Sequence, residues 1–314
     1  MVGPANNRAL SMRDLCLIRA PFNLGLRPLR PGHEPGTWRA PQALTDAGLL
    51  EALAPARIVD LDRPAYSTEP QPGTRLRNGP AIRTFSLQLA DIVAETVGRG
   101  QFPLIVGGDC TVLLGGLAGA RRSGLLSLVH VDGHSDFRHP GNDDDNLPLG
   151  SAAGMDLAAA TGRGEALLTE WPGIEGPLLR DDQVAQIGER ESRDADFAWH
   201  DIAATEMTLV DVFAARELGA AGVLARVEPV LARGGGRFWL HFDVDALDQT
   251  FMPAVDSPGS PGIEPDELVA ILGTLAARPG CIGMDVTIFD PDLDPTGELA
   301  AWLVALLRRV LTAT

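Results

Sequence analysis

Residues 127–136, with the sequence SLVHVDGHSD, place three potential metal ligands at the end of an apolar segment. The apolar segment predicts a buried strand. Asp132, His134 and Asp136 follow at alternating positions, and side chains two residues apart share a face in an extended chain. The stretch therefore predicts a strand whose carboxyl end carries several ligands pointing the same way.

A second stretch, residues 238–245 (FWLHFDVD), repeats this arrangement more than a hundred residues later. Asp243 and Asp245 again alternate after an apolar strand. Four carboxylates and one imidazole from two strand ends would repel one another strongly without a cation between them. The number of ligands favours two divalent ions over one, and so indicates a binuclear metallohydrolase.

The remaining sequence predicts an α/β fold, because apolar β-rich segments alternate with Ala/Leu-rich amphipathic ones. The predicted strands are 15–18, 56–61, 103–106, 125–131, 183–187, 237–242 and 281–286. The predicted helices are 43–53, 81–99, the segment from the turn at 107–110 to about 122, 151–160, 210–218, 222–233, 265–277 and 299–311. Such alternation is typical of a parallel sheet covered on both faces, with ligands at the carboxyl ends of the strands. No repeat or linker divides the chain, so one domain spanning 1–314 is expected.

Composition disfavours or excludes several classes of partner and chemistry. The formal net charge is −16, from 26 basic and 42 acidic residues. An acidic surface disfavours nucleic acid and anionic membranes and would attract a cationic substrate, although many soluble proteins are acidic without such a role. The chain contains no lysine, which excludes a lysine Schiff base and a P-loop lysine.

Cysteine usage and hydropathy predict the compartment. The three cysteines are too few and too scattered for a disulfide framework. No apolar segment is long enough to span a membrane, and the first twenty residues do not resemble a secretory signal. We therefore expect a cytoplasmic protein without a membrane partner.

Four motifs, in order, resemble those of the ureohydrolase family, which includes arginase, agmatinase and formiminoglutamase. The family's Gly-Gly-Asp-His resembles residues 107–110 (GGDC), and its Asp-Ala-His-x-Asp resembles 132–136 (DGHSD). Its Ser-Phe-Asp-x-Asp-x-x-Asp-Pro resembles 241–249 (HFDVDALDQ), and its closing Asp-x-x-Glu-x-x-Pro-x-x-Asp resembles 285–294 (DVTIFDPDLD). The resemblance covers nearly the whole chain.

The resemblance implies a three-layer α/β/α fold with an eight-stranded, mostly parallel sheet. It also implies two manganese ions that share a hydroxide, which attacks the planar carbon of a guanidine or amidine. The implied catalytic residue that orients the hydroxide is Asp136. A small-molecule substrate and a homo-oligomer are expected. The implied ligands are Cys110, Asp132, Asp136 and Asp243 for one ion, and Asp132, His134, Asp243 and Asp245 for the other.

The chain departs from the family pattern at three positions. Cys110 stands where most members have a histidine ligand, and a thiolate favours zinc or iron over manganese. The alternative is a buried thiol beside a weak or absent ion. Ile288 occupies the substrate-binding position of a glutamate that grips the guanidinium in arginases and agmatinases. Leu149 falls near the histidine that shuttles protons in the family, so simple arginase or agmatinase activity is not expected.

Other polar residues could compensate for these losses. His130 and His241 each precede a ligand aspartate by two residues, and either could donate a proton to the leaving amine or act as an outer ligand. The alternative role is support of a ligand carboxylate, which we favour for His130, while His241 is kept as a catalytic candidate. Glu191, with its neighbours Glu189 and Asp194, could supply the missing substrate contact.

These observations predict a metal-dependent hydrolase of a carbon–nitrogen bond in a guanidine-, N-hydroxyguanidine- or amidine-type compound. Two alternatives remain open. The chain could be a non-catalytic homologue that serves as a binding or assembly subunit, or an amide deacylase.

Overall fold

Eight parallel strands form one central sheet in this protein, whose computed structural model describes residues 15–142, 150–195 and 197–312. The strand order is β2-β1-β3-β8-β7-β4-β5-β6, and every pairing is parallel. The strands are β1 (Leu15–Arg19), β2 (Arg57–Asp60), β3 (Phe102–Val106), β4 (Ser127–Val131), β5 (Val184–Ile187), β6 (Thr208–Val210), β7 (Phe238–Asp243) and β8 (Cys281–Thr287).

Helices cover both faces of this sheet, which confirms the predicted three-layer α/β/α architecture. Alternate residues of β1 show the two faces, because Leu15 and Leu17 pack in one hydrophobic cluster while Cys16 and Ile18 pack in the other. The helices are α1 (Ala40–Asp46), α2 (Leu49–Leu53), α3 (Gly79–Gly98), α4 (Val112–Arg121), α5 (Asp156–Ala160), α6 (Ala166–Thr169), α7 (Val212–Arg233), α8 (Pro265–Ala276) and α9 (Glu298–Thr312).

Some predicted element boundaries were wrong for identifiable reasons. The predicted helix 43–53 is divided into α1 and α2 at Gly48, whose φ of 93° is incompatible with a continuing helix. The short edge strand β6 (Thr208–Val210) was not predicted, and its last residue lies where a helix was expected to begin. The prediction of two helices, 210–218 and 222–233, is confirmed, because α7 consists of two helical segments that meet at the non-helical Gly219 (φ 62°).

The register of the central strands decides which polar residues meet. β4 pairs with β7 so that His130 lies beside His241, and β7 pairs with β8 so that His241 lies beside Asp285. All three side chains are fully buried. Among the described residues, no helix combines the length and apolar character needed to cross a membrane.

Candidate metal centre

The candidate centre lies at the carboxyl ends of β3, β4, β7 and β8. After β3 the chain turns through Gly107 and Gly108, at φ 103° and 87°, before it reaches Cys110. A Cβ at Gly107 would lie 2.3 Å from Pro41 Cγ, so this tight turn requires glycine. The turn brings Cys110 next to Asp243, the last residue of β7.

The first group of converging ligands consists of Asp132, His134 and Asp245, which we call the outer group. One potential ligand atom of each lies within 4.8 Å of the others. His134 Nδ1 is 2.9 Å from Asp245 Oδ2 and 3.7 Å from Asp132 Oδ1. The Gly133 N–H donates to Asp245 Oδ1 at 3.0 Å, which holds this carboxylate against the loop after β4.

Cys110 belongs to a neighbouring set of ligands. Its Sγ donates a hydrogen bond to Asp243 Oδ2 at 2.8 Å, and its ligand atom also clusters with those of Asp132 and His241. Asp136 approaches Cys110 from the loop after β4, where its backbone has a left-handed φ of 46°. The structure therefore brings together all six residues predicted as metal ligands, namely Cys110, Asp132, His134, Asp136, Asp243 and Asp245.

Electrostatic repulsion within this cluster is severe. Burial, followed by the charges of neighbouring carboxylates, raises the pKa values of Asp136 and Asp243 well above the ordinary range. Burial and Asp243 likewise raise the pKa of Cys110. Burial opposes ionisation of Asp245 as well, but the charge and hydrogen bond of His134, together with Arg190 and the Gly133 N–H, outweigh it and lower this pKa. Divalent ions would relieve the repulsion, and carboxylate and imidazole donors suit manganese, zinc or iron(II). The residues present therefore fit a metal centre.

A cavity of about 420 Å³ opens onto the cluster. Its wall includes Cys110, His134, Asp136, Asp243 and Asp245. This volume is suited to a small molecule.

Ile288 forms part of the cavity wall, where the family resemblance predicted the substrate contact. Its N–H donates to Gly108 O at 2.9 Å, and its φ is 72°. A left-handed backbone is unusual and strained for a β-branched residue. The cavity therefore presents an apolar, conformationally strained side chain where a cation contact would otherwise be expected.

Glu191 also lines the cavity, whereas its neighbour Glu189 has a different role. Glu191 Oε2 accepts from the N–H and the hydroxyl of Ser135, at 3.3 and 3.4 Å, and burial raises its pKa. The Glu189 carboxylate instead accepts from the backbone N–H groups of Glu191 and Ser192, each at 2.8 Å. Of these two, Glu191 is the one placed to contact a substrate.

The two histidines at the strand ends lie beneath the cavity. His130 and His241 are fully buried and stack with ring centroids 4.5 Å apart. His241 Nδ1 forms a short hydrogen bond with Asp285, which also accepts from Trp239 Nε1. Because His241 is fully buried, a substrate in the cavity cannot contact it directly. Any effect of His241 on catalysis would pass through neighbouring residues.

Asp156, the first residue of α5, was not among the residues predicted from the sequence. It is fully buried, and one of its carboxylate oxygens clusters with the ligand atoms of Cys110 and Asp136. Burial raises its pKa to about 7. The available signal was a single acid in an otherwise apolar, small-residue helix, but an acid in a first helical turn is ordinarily explained by the helix dipole.

Two further positions that follow β4 in the sequence lie outside the centre or outside the described residues. His139, on the loop after β4, pairs with Asp201 at 2.7 Å. Leu149 lies outside the described residues.

Comparisons with known proteins identify the relatives of this chain. A model of the Arginase family matches residues 13–312. The chain is 29% identical over 303 residues to an arginase of Bacillus caldovelox, covering 94% of this chain and 97% of that protein. It is 30% identical over 301 residues to arginase-1 of Sus scrofa, covering 91% and 88%, respectively.

Solved structures show the same fold. The arginase of Bacillus caldovelox superposes with a TM-score of 0.80 at 27% identity, covering 96% of this chain and 98% of that chain. A Trypanosoma cruzi formiminoglutamase crystallised with Mn²⁺ superposes with a TM-score of 0.69, covering 95% and 92%. Its identity of 18% limits that likeness to the fold.

Proposed function

Because this chain belongs to the arginase family, we propose that it is a metal-dependent hydrolase of a carbon–nitrogen bond in a guanidine-, N-hydroxyguanidine- or amidine-type small molecule. The observation that carries the proposal is the convergence of buried carboxylates and an imidazole at the floor of a small cavity. Divalent ions bound there would act as Lewis acids and activate water as a nucleophile near neutral pH.

Hydrolysis adds water across the bond between the central carbon and the leaving nitrogen, and that nitrogen must take a proton. Asp136 faces the cavity, so its carboxylate is suited to orient water and accept its proton. Glu191 lies on the same wall and can orient the polar end of the substrate. Asp132, His134, Asp243 and Asp245 would hold the ions.

Ile288 favours a reacting group less basic than a free guanidinium. A cation facing an isoleucine would lose hydration without gaining a partner. N-hydroxyguanidine is less basic because of its hydroxyl group, and formimino and other amidine derivatives offer alternatives. We therefore propose that arginine and agmatine are poor substrates of this protein, although several of its relatives are named arginases.

A substrate panel tests this proposal. Purified protein incubated with manganese would be mixed with arginine, agmatine, N-hydroxyarginine, formimino compounds, simple amidines and N-acylated amines. We expect hydroxyurea, formamide or ammonia to be released from a modified guanidine or amidine, with little urea from arginine. Asp136→Asn is the matched inactive control, because it keeps the size of the side chain while removing the carboxylate.

Other outcomes of the same panel would identify the alternatives. Release of carboxylic acid from acylated amines alone would indicate a deacylase. Turnover of no compound by metal-loaded protein would favour a non-catalytic binding subunit. Efficient urea release from arginine would contradict the role proposed for Ile288. A homo-oligomer in the cytoplasm remains our proposal for the assembled protein, and light scattering would test the oligomeric state.

A further inference from the structure

A second set of potential ligands lies below the cavity floor, between the ends of β4 and β7 and the start of α5. We call it the inner group, and its members are His130, His241, Asp132 and Asp156. All four side chains are fully buried. One potential ligand atom from each of His130, His241 and Asp156 lies within 4.8 Å of the others.

We propose that the inner group binds a divalent transition-metal ion, and that Cys110 is not a ligand of this ion. Two imidazoles from the strand ends would thereby replace the histidine that the family motif places at position 110. The proposal shares Asp132 with the centre of the proposed function but concerns the location of an ion, so it can be tested without a substrate.

The distances within the inner group suit a metal ion better than direct hydrogen bonds. His130 Nε2 is 3.7 Å from Asp132 Oδ2 and 3.6 Å from Asp156 Oδ1. His241 Nε2 is 3.8 Å from Asp132 Oδ2. Zinc-type ions bind nitrogen and oxygen at about 2.0–2.1 Å, which separates neighbouring ligands of a tetrahedral site by about 3.3–3.4 Å. The observed separations exceed that spacing by only a few tenths of an ångström.

The inner group leaves an unusual number of buried polar atoms without hydrogen-bond partners among the described residues. An unpartnered buried polar atom costs free energy, and native structures contain few of them. A cation at the centre of the group would satisfy several of these atoms at once. They are His130 Nδ1 and Nε2, His241 Nε2, Asp132 Oδ2, and both carboxylate oxygens of Asp156.

Hydrogen bonds behind His241 orient it as a ligand. Its Nδ1 is bonded to Asp285, whose other oxygen accepts from Trp239 Nε1. A carboxylate that binds one ring nitrogen fixes the tautomer, so the lone pair of the other nitrogen is free for a metal. For His241 the free nitrogen is Nε2, the atom that faces Asp132.

Cys110 offers a competing arrangement, because its sulfur clusters with Asp132, His241 and Asp243. The two arrangements predict different ligand chemistry. An ion in the inner group would have only nitrogen and oxygen ligands, whereas the competing arrangement includes sulfur. Cobalt(II) distinguishes them, because a thiolate ligand gives an intense sulfur-to-cobalt charge-transfer absorption in the near ultraviolet.

The first experiment uses the unmutated full-length protein loaded with cobalt(II). We expect visible cobalt absorption without a charge-transfer band, and Cys110→Ala should leave the spectrum unchanged. An intense near-ultraviolet band that disappears in Cys110→Ala would overturn the proposal. This measurement needs no substitution in the inner group, so it remains decisive if those variants fail to fold.

The second experiment measures metal content by mass spectrometry in His130→Phe, Asp156→Asn and Cys110→Ala. We expect His130→Phe and Asp156→Asn each to contain about one ion fewer per chain than the unmutated protein, and Cys110→Ala to contain as many. The reverse pattern would overturn the proposal. Circular dichroism of each variant establishes that it is folded. Failure of every substrate in the activity panel would leave these metal contents unchanged, so the two proposals can fail separately.

Discussion

Ile288 is the single residue that separates this cavity most clearly from one built to bind a guanidinium. It is buried in the wall, at a φ of 72°, with acidic side chains across the cavity. A glutamate at this position would share the strained backbone and would stand among carboxylates that already repel one another. We therefore expect that replacing Ile288 with glutamate would not by itself make the cavity suited to arginine.

We predict that Ile288→Glu will not turn the protein into an efficient arginase. The introduced carboxylate adds a negative charge to the cavity, but Cys110 and the rest of the site remain unchanged. Steady-state urea release from arginine in the presence of manganese checks this, with Ile288→Gln as the uncharged control. A rate far above that of both the unmutated protein and the control would show that position 288 alone determines the substrate.

Asp245 is predicted to be necessary for metal binding. Its carboxylate contacts His134 at 2.9 Å and is the last member of the outer group along the chain. Asp245→Ala removes a ligand and a charge, so the ion of the outer group should be lost. Metal analysis after manganese incubation measures this, and the exposed Asp62→Ala serves as the control. Equal metal content in the three proteins would contradict the assignment.

Asp248 lies three residues after Asp245, the last member of the outer group. Its carboxylate stabilises the fold. It accepts hydrogen bonds from Thr250 N–H, Ser260 Oγ and Gly262 N–H at 3.1, 2.8 and 3.0 Å. Burial opposes its ionisation, but these bonds outweigh burial and lower its pKa to about 2. A lowered pKa stabilises the fold above the ordinary value of 3.8, and this contribution is lost as the pH falls towards 2.

We therefore predict that Asp248→Asn lowers the free energy of unfolding at pH 7 by about 1–3 kcal/mol. The difference from the unmutated protein should shrink as the pH is lowered from about 4 towards 2. Urea unfolding of both proteins in the presence of a chelator measures it, which removes any effect of bound metal. The exposed Asp62→Asn should change the stability little at either pH. A difference that grows on acidification would refute this account.

At the level of elements, the contact between β7 and β8 supports the floor of the centre. Trp239 of β7 is fully buried and lies against Gly283 of β8, where a Cβ would approach Trp239 Cζ3 to 2.2 Å. The indole also donates to Asp285, which in turn holds His241. A small residue on one strand thus allows the neighbouring strand to position the polar groups beneath the cavity.

We predict that Gly283→Ala destabilises the protein by about 1–3 kcal/mol, because the added methyl group overpacks a rigid interior. The matched control is Gly98→Ala at the exposed end of α3, where nothing lies within 4 Å of the added Cβ. That change should stabilise the helix by up to about 1 kcal/mol. Thermal and urea unfolding of both variants give the comparison, and equal effects would contradict the packing argument.

For the molecule as a whole, bound metal should contribute to stability. Six potential ligands from three strand ends and their loops converge, so an ion there ties distant parts of the chain together. Ligands that bind only the folded state stabilise it by mass action, by about 2.7 kcal/mol at a hundred times Kd. We predict that manganese raises the midpoint of thermal unfolding, and that a chelator or Asp245→Ala removes most of this gain. An unchanged midpoint in metal-loaded protein would argue against the centre.

The sequence by itself determined the α/β class, the parallel sheet and the convergence of Asp132, His134, Asp136, Asp243 and Asp245, whereas Cys110 was added only by the family resemblance. These depend on local regularities, because continuous apolar segments form buried strands and alternating positions share a face. Edge strand β6 and the helix break at Gly48 were missed, since three residues carry little periodic signal and the positive φ of a glycine cannot be recognised from the residue type alone.

The residues of the inner group could be identified as neighbours only from the tertiary structure. Asp156 is some twenty residues from Asp132 in the sequence and carried no ligand spacing, yet α5 places it beside His130. The strand register places His241 between His130 and Asp285, and this pairing depends on packing between segments far apart in the chain. Spacing within one strand can be determined from the sequence because it is local geometry, whereas contacts between strand ends and a distant helix arise only when the whole sheet has assembled.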